Sequence, residues 1–289
     1  GIHNQNNGLV SVIGSTVYAK AEYGIYNTAT AKSHTESSGQ VTDYSVTIGD
    51  GAKVGGLLGS ILNQSANTKV TGSAILGFIY SGDGKNYSGH VHNTVATGTT
   101  ALGEFLFENG TLNSSRVGIL NDAGSVRIKG GTINGGTYGI QNKKGGLQTI
   151  LTIDGGTIKG AAGDGILNDG GQLDISGAAL ISGKGGTVES GMVGIRNTND
   201  GTVTIKGAIS SLTGTQAAIL IDSGKMNITS TGSISGSGNG IQNIGTGNTA
   251  IDGRISNYDL AVKNSSSGAA GATNAASVTI SASAVITGN

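Results

Sequence analysis

Short stretches in which aliphatic and polar residues alternate recur along the whole chain, separated by glycine-containing bends. They are seen as Val126-Arg127-Ile128-Lys129-Gly130-Gly131-Thr132-Ile133 and again as Leu151-Thr152-Ile153-Asp154-Gly155-Gly156-Thr157-Ile158. Looser copies run from Leu173 to Leu180, Val203 to Ile209, Met226 to Ile234, Ile251 to Ile255 and Val278 to Val285. Strict alternation predicts strands with one buried face. Helical spacing is absent throughout.

Between these stretches lies a second motif of Gly, an aliphatic residue, any residue, then Asn. Full copies end at Asn4, Asn27, Asn121, Asn142, Asn168, Asn197 and Asn243, and partial copies end at Asn63, Asn93 and Asn264. One expected slot carries Ile221 instead. Asn4 and Asn264 are 260 residues apart over ten intervals, which is 26 per repeat. Each repeat then holds about three short strands, the content of one triangular solenoid coil. The predicted fold is all-β, a right-handed parallel β-helix of about eleven coils forming a single domain over residues 1–289. Stacking at about 4.8 Å would set Ile on Ile in successive coils. The Asn, two residues after the buried aliphatic, would point to the same side. There it would bond the Asn above and below and satisfy otherwise stranded turn amides.

Composition sharpens this picture. With 54 Gly, no Pro and no Trp, and with aromatics at only 4%, the interior must be built from small and β-branched side chains. Seventeen basic residues balance seventeen acidic ones, so there is no electrostatic footprint for nucleic acid. No apolar run approaches a membrane span. Zero Cys removes disulfides and thiolate metal sites, and suits export in an unfolded state. The sequence opens directly on the motif at Gly1 and stops after a strand, so flanking coils or caps are expected in a longer protein.

The Gly-Ile-x-Asn and aliphatic-x-Ile-x-Gly-Gly-Thr-Ile elements, in a chain without Cys and Pro, resemble the passenger domains of bacterial autotransporter adhesins of the diffuse-adherence and self-aggregating types. That resemblance implies export through the outer membrane to the bacterial cell surface. It also implies attachment, through the rod's exterior, to a host-cell receptor, a matrix protein, a glycan or a second copy of the same protein. Filamentous haemagglutinins, pectin-degrading enzymes and phage tailspikes share the coil geometry, so a pure spacer and a polysaccharide-degrading enzyme are the alternatives.

On a scaffold of uniform coils, specificity is expected where loops escape the stacking constraint. Residues 28–44 and 81–103 lack alternation and are expected to protrude. Tyr44, Tyr80 and Tyr87 are the candidate rings for sugar stacking or hot-spot contacts. His90 and His92 project to one side of a strand, with Asp83 a conceivable third ligand, but no further His or Cys lies nearby and no metal or cofactor is predicted. A hydrolase would require Asp154, Asp174 and Asp252 to converge. Coil alignment instead places Asp154 with Lys129, Lys206 and Asp252, and Asp174 with Arg127, Thr152 and Thr204. This is a solvated charge ladder, so no enzyme is expected.

Overall fold

In the computed structural model, eleven strands, ten with the motif Asn and one with Ile221 in its place, lie side by side in one parallel sheet, from Ile2–Asn4 to Leu260–Ser265. The structure describes residues 1–5, 8–28, 44–79, 81–183, 193–213, 216–265 and 276–288, with backbone alone at 180, 182, 183 and 211–213. The expected column forms without interruption. Ile2, Ile25, Ile61, Val91, Ile119, Ile140, Ile166, Ile195, Ile219, Ile241 and Val262 pair one above the next. Twenty further strands among the described residues form the other two faces of the coil, joined into one sheet where Thr149–Gly160 and Gln172–Gly183 bend through a corner without a break. The rod makes about nine turns. That is slightly fewer than the eleven coils counted along the sequence.

Burial follows from the register. Alternate residues of each strand point to the axis, where Val126, Ile128, Ile133, Leu151, Ile153 and Ile158 are almost completely enclosed. One continuous apolar core runs from Val12 to Tyr258. No coil could bury its own inward residues; each is covered by its neighbours, so stability accrues along the axis. Glycine is required where the chain turns a corner. At Gly131 and Gly156 φ is +79° and +97°, and a Cβ would come within 2.6 Å of the Gly110 carbonyl and 3.0 Å of the Gly130 carbonyl. Both the left-handed backbone and the approach of the preceding coil exclude a side chain there.

The Asn column is an internal hydrogen-bonded ladder with one polarity. Each Nδ2 donates to the Oδ1 of the next coil, from Asn4 through Asn27, Asn63, Asn93, Asn121, Asn142 and Asn168 to Asn197, at 2.7–3.2 Å. The ladder resumes between Asn243 and Asn264 at 3.1 Å. The same Nδ2 groups also donate to turn carbonyls: Asn63 to Ala66, Asn93 to Ala123, Asn168 to Gly171 and Asn197 to Gly201. The turn groups served are therefore carbonyl oxygens, not N–H groups.

The irregular stretch expected over 81–103 is smaller than the sequence implied. Asn86–Tyr87 pairs antiparallel with Phe78–Ile79, making a hairpin that leaves the rod, and Val91–Thr94 is a regular member of the Asn sheet. Only the hairpin tip and the segment after Thr94 escape the stack. Two-residue strands are too short for alternation to be legible. Of the loop expected over 28–44, only Thr28 and Tyr44 fall within the described residues.

Candidate functional site

All four His and six of the eight Tyr lie in the first 92 residues, and of these His3, Tyr18, Tyr23, Tyr26, Tyr44 and His92 are exposed or partly exposed. The structure divides these residues into three groups.

Tyr87 is corrected from a surface contact to a core residue. Its ring is fully buried, packed on Tyr18 and Phe78 with centroids 5.2 and 5.8 Å away. Its hydroxyl donates to Asp83 Oδ2 at 2.7 Å, and Asp83 Oδ1 accepts from the Lys85 N–H. These two hydrogen bonds, Tyr87 first, hold the exposed Asp83 carboxyl below its ordinary range. Gly55 makes room for the ring, since a Cβ there would meet Tyr87 Cβ at 2.7 Å. The hairpin is thus anchored through its last residue. Tyr80 lies outside the described residues.

Tyr44 stays at the surface, half-buried, with the Lys69 ammonium 5.8 Å from its ring centroid. Burial raises its hydroxyl pKa, and the nearby carboxylates of Glu104 and Glu108 add to the effect. Beside it runs a charge ladder across coils. Glu108 accepts from Lys69 at 2.8 Å and Lys129 at 3.0 Å, and Arg127 pairs with Asp154 at 2.7 Å.

His90 and His92 flank the buried Val91, their rings 6.2 Å apart. They are not poised alike. His90 is buried and its Nδ1 meets the Val117 carbonyl at 2.7 Å, whereas His92 Nε2 meets Asp122 Oδ2 at 2.8 Å. Desolvation lowers the His90 pKa, so its neutral form donates to Val117. Both rings and Asp83 already have partners of their own. Among the described residues no three His, Asp or Glu side chains gather as a metal site.

Of the carboxylates that a hydrolase would need, Asp174 falls in the column that the coil alignment predicts, and the register shifts at Asp154, between Ile153 and Gly155. Arg127, Thr152, Asp174 and Thr204 form one register column. Asp154 and Asp252 follow Ile153 and Ile251, which stand four coils apart in their column, or about 19 Å at the strand spacing. Asp154 is held by Arg127 and Ser176, Asp174 by Gln172, and Asp252 by Ser281 and Ser283. The two serine hydroxyls hold the Asp252 carboxyl below its ordinary range. Asp154 and Asp252 stand well beyond the roughly 5–10 Å carboxyl separation of glycoside hydrolysis.

One feature of the exterior was missed in the sequence. The variable position of the Asn motif points away from the axis, where Leu167 and Leu220 are nonetheless covered, and in the first two coils it is filled by His3 and Tyr26, paired in register with rings parallel at 4.6 Å. Beside them, Tyr18 and Tyr23 flank the turn that carries Lys20 and Glu22. Together they line an open cleft of about 640 Å³. The signal was the unspecified third residue of the motif, read as free when its identity is the surface.

Comparison with known proteins found no matching family model, no matching curated protein and no matching solved structure, so what can be said of function comes from the chain's own architecture.

Proposed function

We propose that this chain is a non-enzymatic adhesive segment of a bacterial surface protein, displayed outside the cell after export through the outer membrane in the manner of an autotransporter passenger. On this reading its exterior contacts a host-cell receptor, a matrix protein or a glycan, or a second copy of itself. The observation that carries the proposal is the contrast between interior and exterior. The aliphatic column and the Asn ladder repeat with little change through the rod, while His3, Tyr18, Tyr23, Tyr26, Tyr44 and His92 reach the exterior of the first coils. A fold held together without Cys, through contacts with adjacent coils alone, can be exported unfolded and assembled afterwards.

The test is binding of the purified chain to cultured host cells, to immobilised matrix proteins, to glycans and to itself. Binding to at least one, weakened by substitutions on the first coils, supports the proposal. If none binds while the intact bacterial protein still mediates attachment, the segment is a spacer. Release of reducing or unsaturated sugar ends from acidic polysaccharides would establish the enzymatic reading instead.

A further inference from the structure

We infer that the cleft between the first two coils is a binding site for a neutral oligosaccharide. The inference rests on the reading of the exterior as an adhesive surface and names one ligand class and one place for it. Four rings meet there from two successive coils: His3, Tyr18, Tyr23 and Tyr26. Each Tyr is fixed from behind. The Tyr26 hydroxyl donates to Gln64 Oε1 at 2.6 Å and its ring lies flat on His3, Tyr18 packs on the buried Tyr87, and Tyr23 packs on the buried His90. The tyrosine rings are only partly buried, so they offer rigid apolar faces whose ordering cost is met before any ligand arrives.

A pyranose has one face of C–H groups and a rim of hydroxyls, and it is recognised by flat aromatic faces with hydrogen-bonding groups around them. The cleft has this form. Lys20 and Glu22 stand on the turn beside the rings and supply a donor and an acceptor of opposite charge. Neither sign dominates, which favours a neutral sugar over an acidic one. The volume falls within the roughly 300–1,000 Å³ of small-ligand sites, room for a short oligosaccharide lying along the groove. It is open to solvent, as a side-on glycan requires.

The experiment uses the full chain against an array of neutral hexose and N-acetylhexosamine oligosaccharides, followed by titration calorimetry and saturation-transfer NMR with the best binder in solution. Binding is expected to weaken about tenfold or more in Tyr26→Ala and in Tyr18→Ala. It should be little changed in Tyr138→Ala, several coils away. Circular dichroism identifies any variant that fails to fold. Saturation transfer between the wild-type aromatic protons and the sugar C–H groups then tests the site without substitution. Absence of binding to every oligosaccharide at millimolar concentration, or equal binding by the Ala variants, overturns the inference. Cell attachment separates it from the broader reading: attachment that persists in Tyr26→Ala leaves adhesion standing and removes the cleft as its site.

Discussion

Ile221 stands between Asn197 and Asn243 in the stacked column, and the Asn243 side-chain carbonyl below it has no donor. Every other described rung passes its Nδ2 to the next Oδ1, so a single aliphatic side chain at this position interrupts the ladder for two intervals. Asn197 keeps the turn bonds that the intact rungs also make, donating to the Gly201 and Ser223 carbonyls. Asn243 still donates to Gly247 and Ser277, so only its acceptor is stranded.

Restoring the rung should be nearly free. Ile221→Asn forfeits about 1.5–3 kcal/mol of aliphatic burial. It gains one ladder bond from Asn197 of about 1 kcal/mol and gives the stranded Asn243 carbonyl a donor, worth about 1–3 kcal/mol. The reverse change, Asn142→Ile, strands the Asn168 Oδ1 and the Gln172 carbonyl together and should destabilise by about 2–4 kcal/mol. Urea denaturation of the two variants checks the asymmetry. A large loss in Ile221→Asn would mean that packing, not the polar column, sets stability at this level of the rod.

His90 makes stability depend on pH. Its folded pKa lies below the ordinary 6.5, chiefly through burial and further through His92 and Arg116, against the opposing pull of the Val117 carbonyl and Asp122. A base with a depressed folded pKa binds protons more readily when unfolded. Stability is therefore intact above about 6.5 and falls as pH drops below it, until the folded pKa is reached. Thermal midpoints between pH 7.5 and 5 should decline in the wild type and decline less in His90→Gln. An equal decline in both would locate the sensitivity elsewhere.

Glu104 and Glu108 should respond in opposite directions to loss of charge. Burial raises the Glu104 pKa, with Arg127 and Lys129 opposing, so its ionised form is disfavoured in the folded state. Glu104→Gln is expected to stabilise slightly at neutral pH, with the gain vanishing as pH falls below the ordinary 4.5. At Glu108 burial also pushes upward, but hydrogen bonds from Lys69 and Lys129 outweigh it and the pKa is lowered. Its contribution is present above the ordinary 4.5 and is lost as pH falls through the lower folded value. Glu108→Gln should cost about 0–1 kcal/mol at neutral pH, and less in high salt. Melting curves of both variants at pH 7 and pH 3.5 test the signs.

Tyr87 and Tyr44 separate core from surface. Tyr87→Ala empties a fully buried site against Tyr18 and Phe78 and removes the Asp83 contact, for a loss of about 3–5 kcal/mol. Tyr44→Ala, half-exposed beneath Lys69, should cost far less. Similar losses in the two variants, by chemical denaturation, would contradict the assignment of Tyr87 to the core.

The interior was legible in the sequence for a physical reason. A coil that stacks on copies of itself must repeat the residue type at each level, so the aliphatic column, the Asn positions and the corner glycines appear as a period. Ile221 was visible in the same way, as a slot of the wrong type. The exterior carries no such constraint. Outward residues at the third motif position vary freely, so nothing in the pattern shows that His3 stacks on Tyr26 or that Tyr18 and Tyr23 share a cleft with them. The short hairpin that buries Tyr87 was hidden because two-residue strands show no alternation, and its ring is enclosed by residues from other coils. Periodicity determined which side chains lie over one another; only the closed path of the coils decided which side chains from different corners meet, because that depends on turn lengths and insertions that leave no period behind.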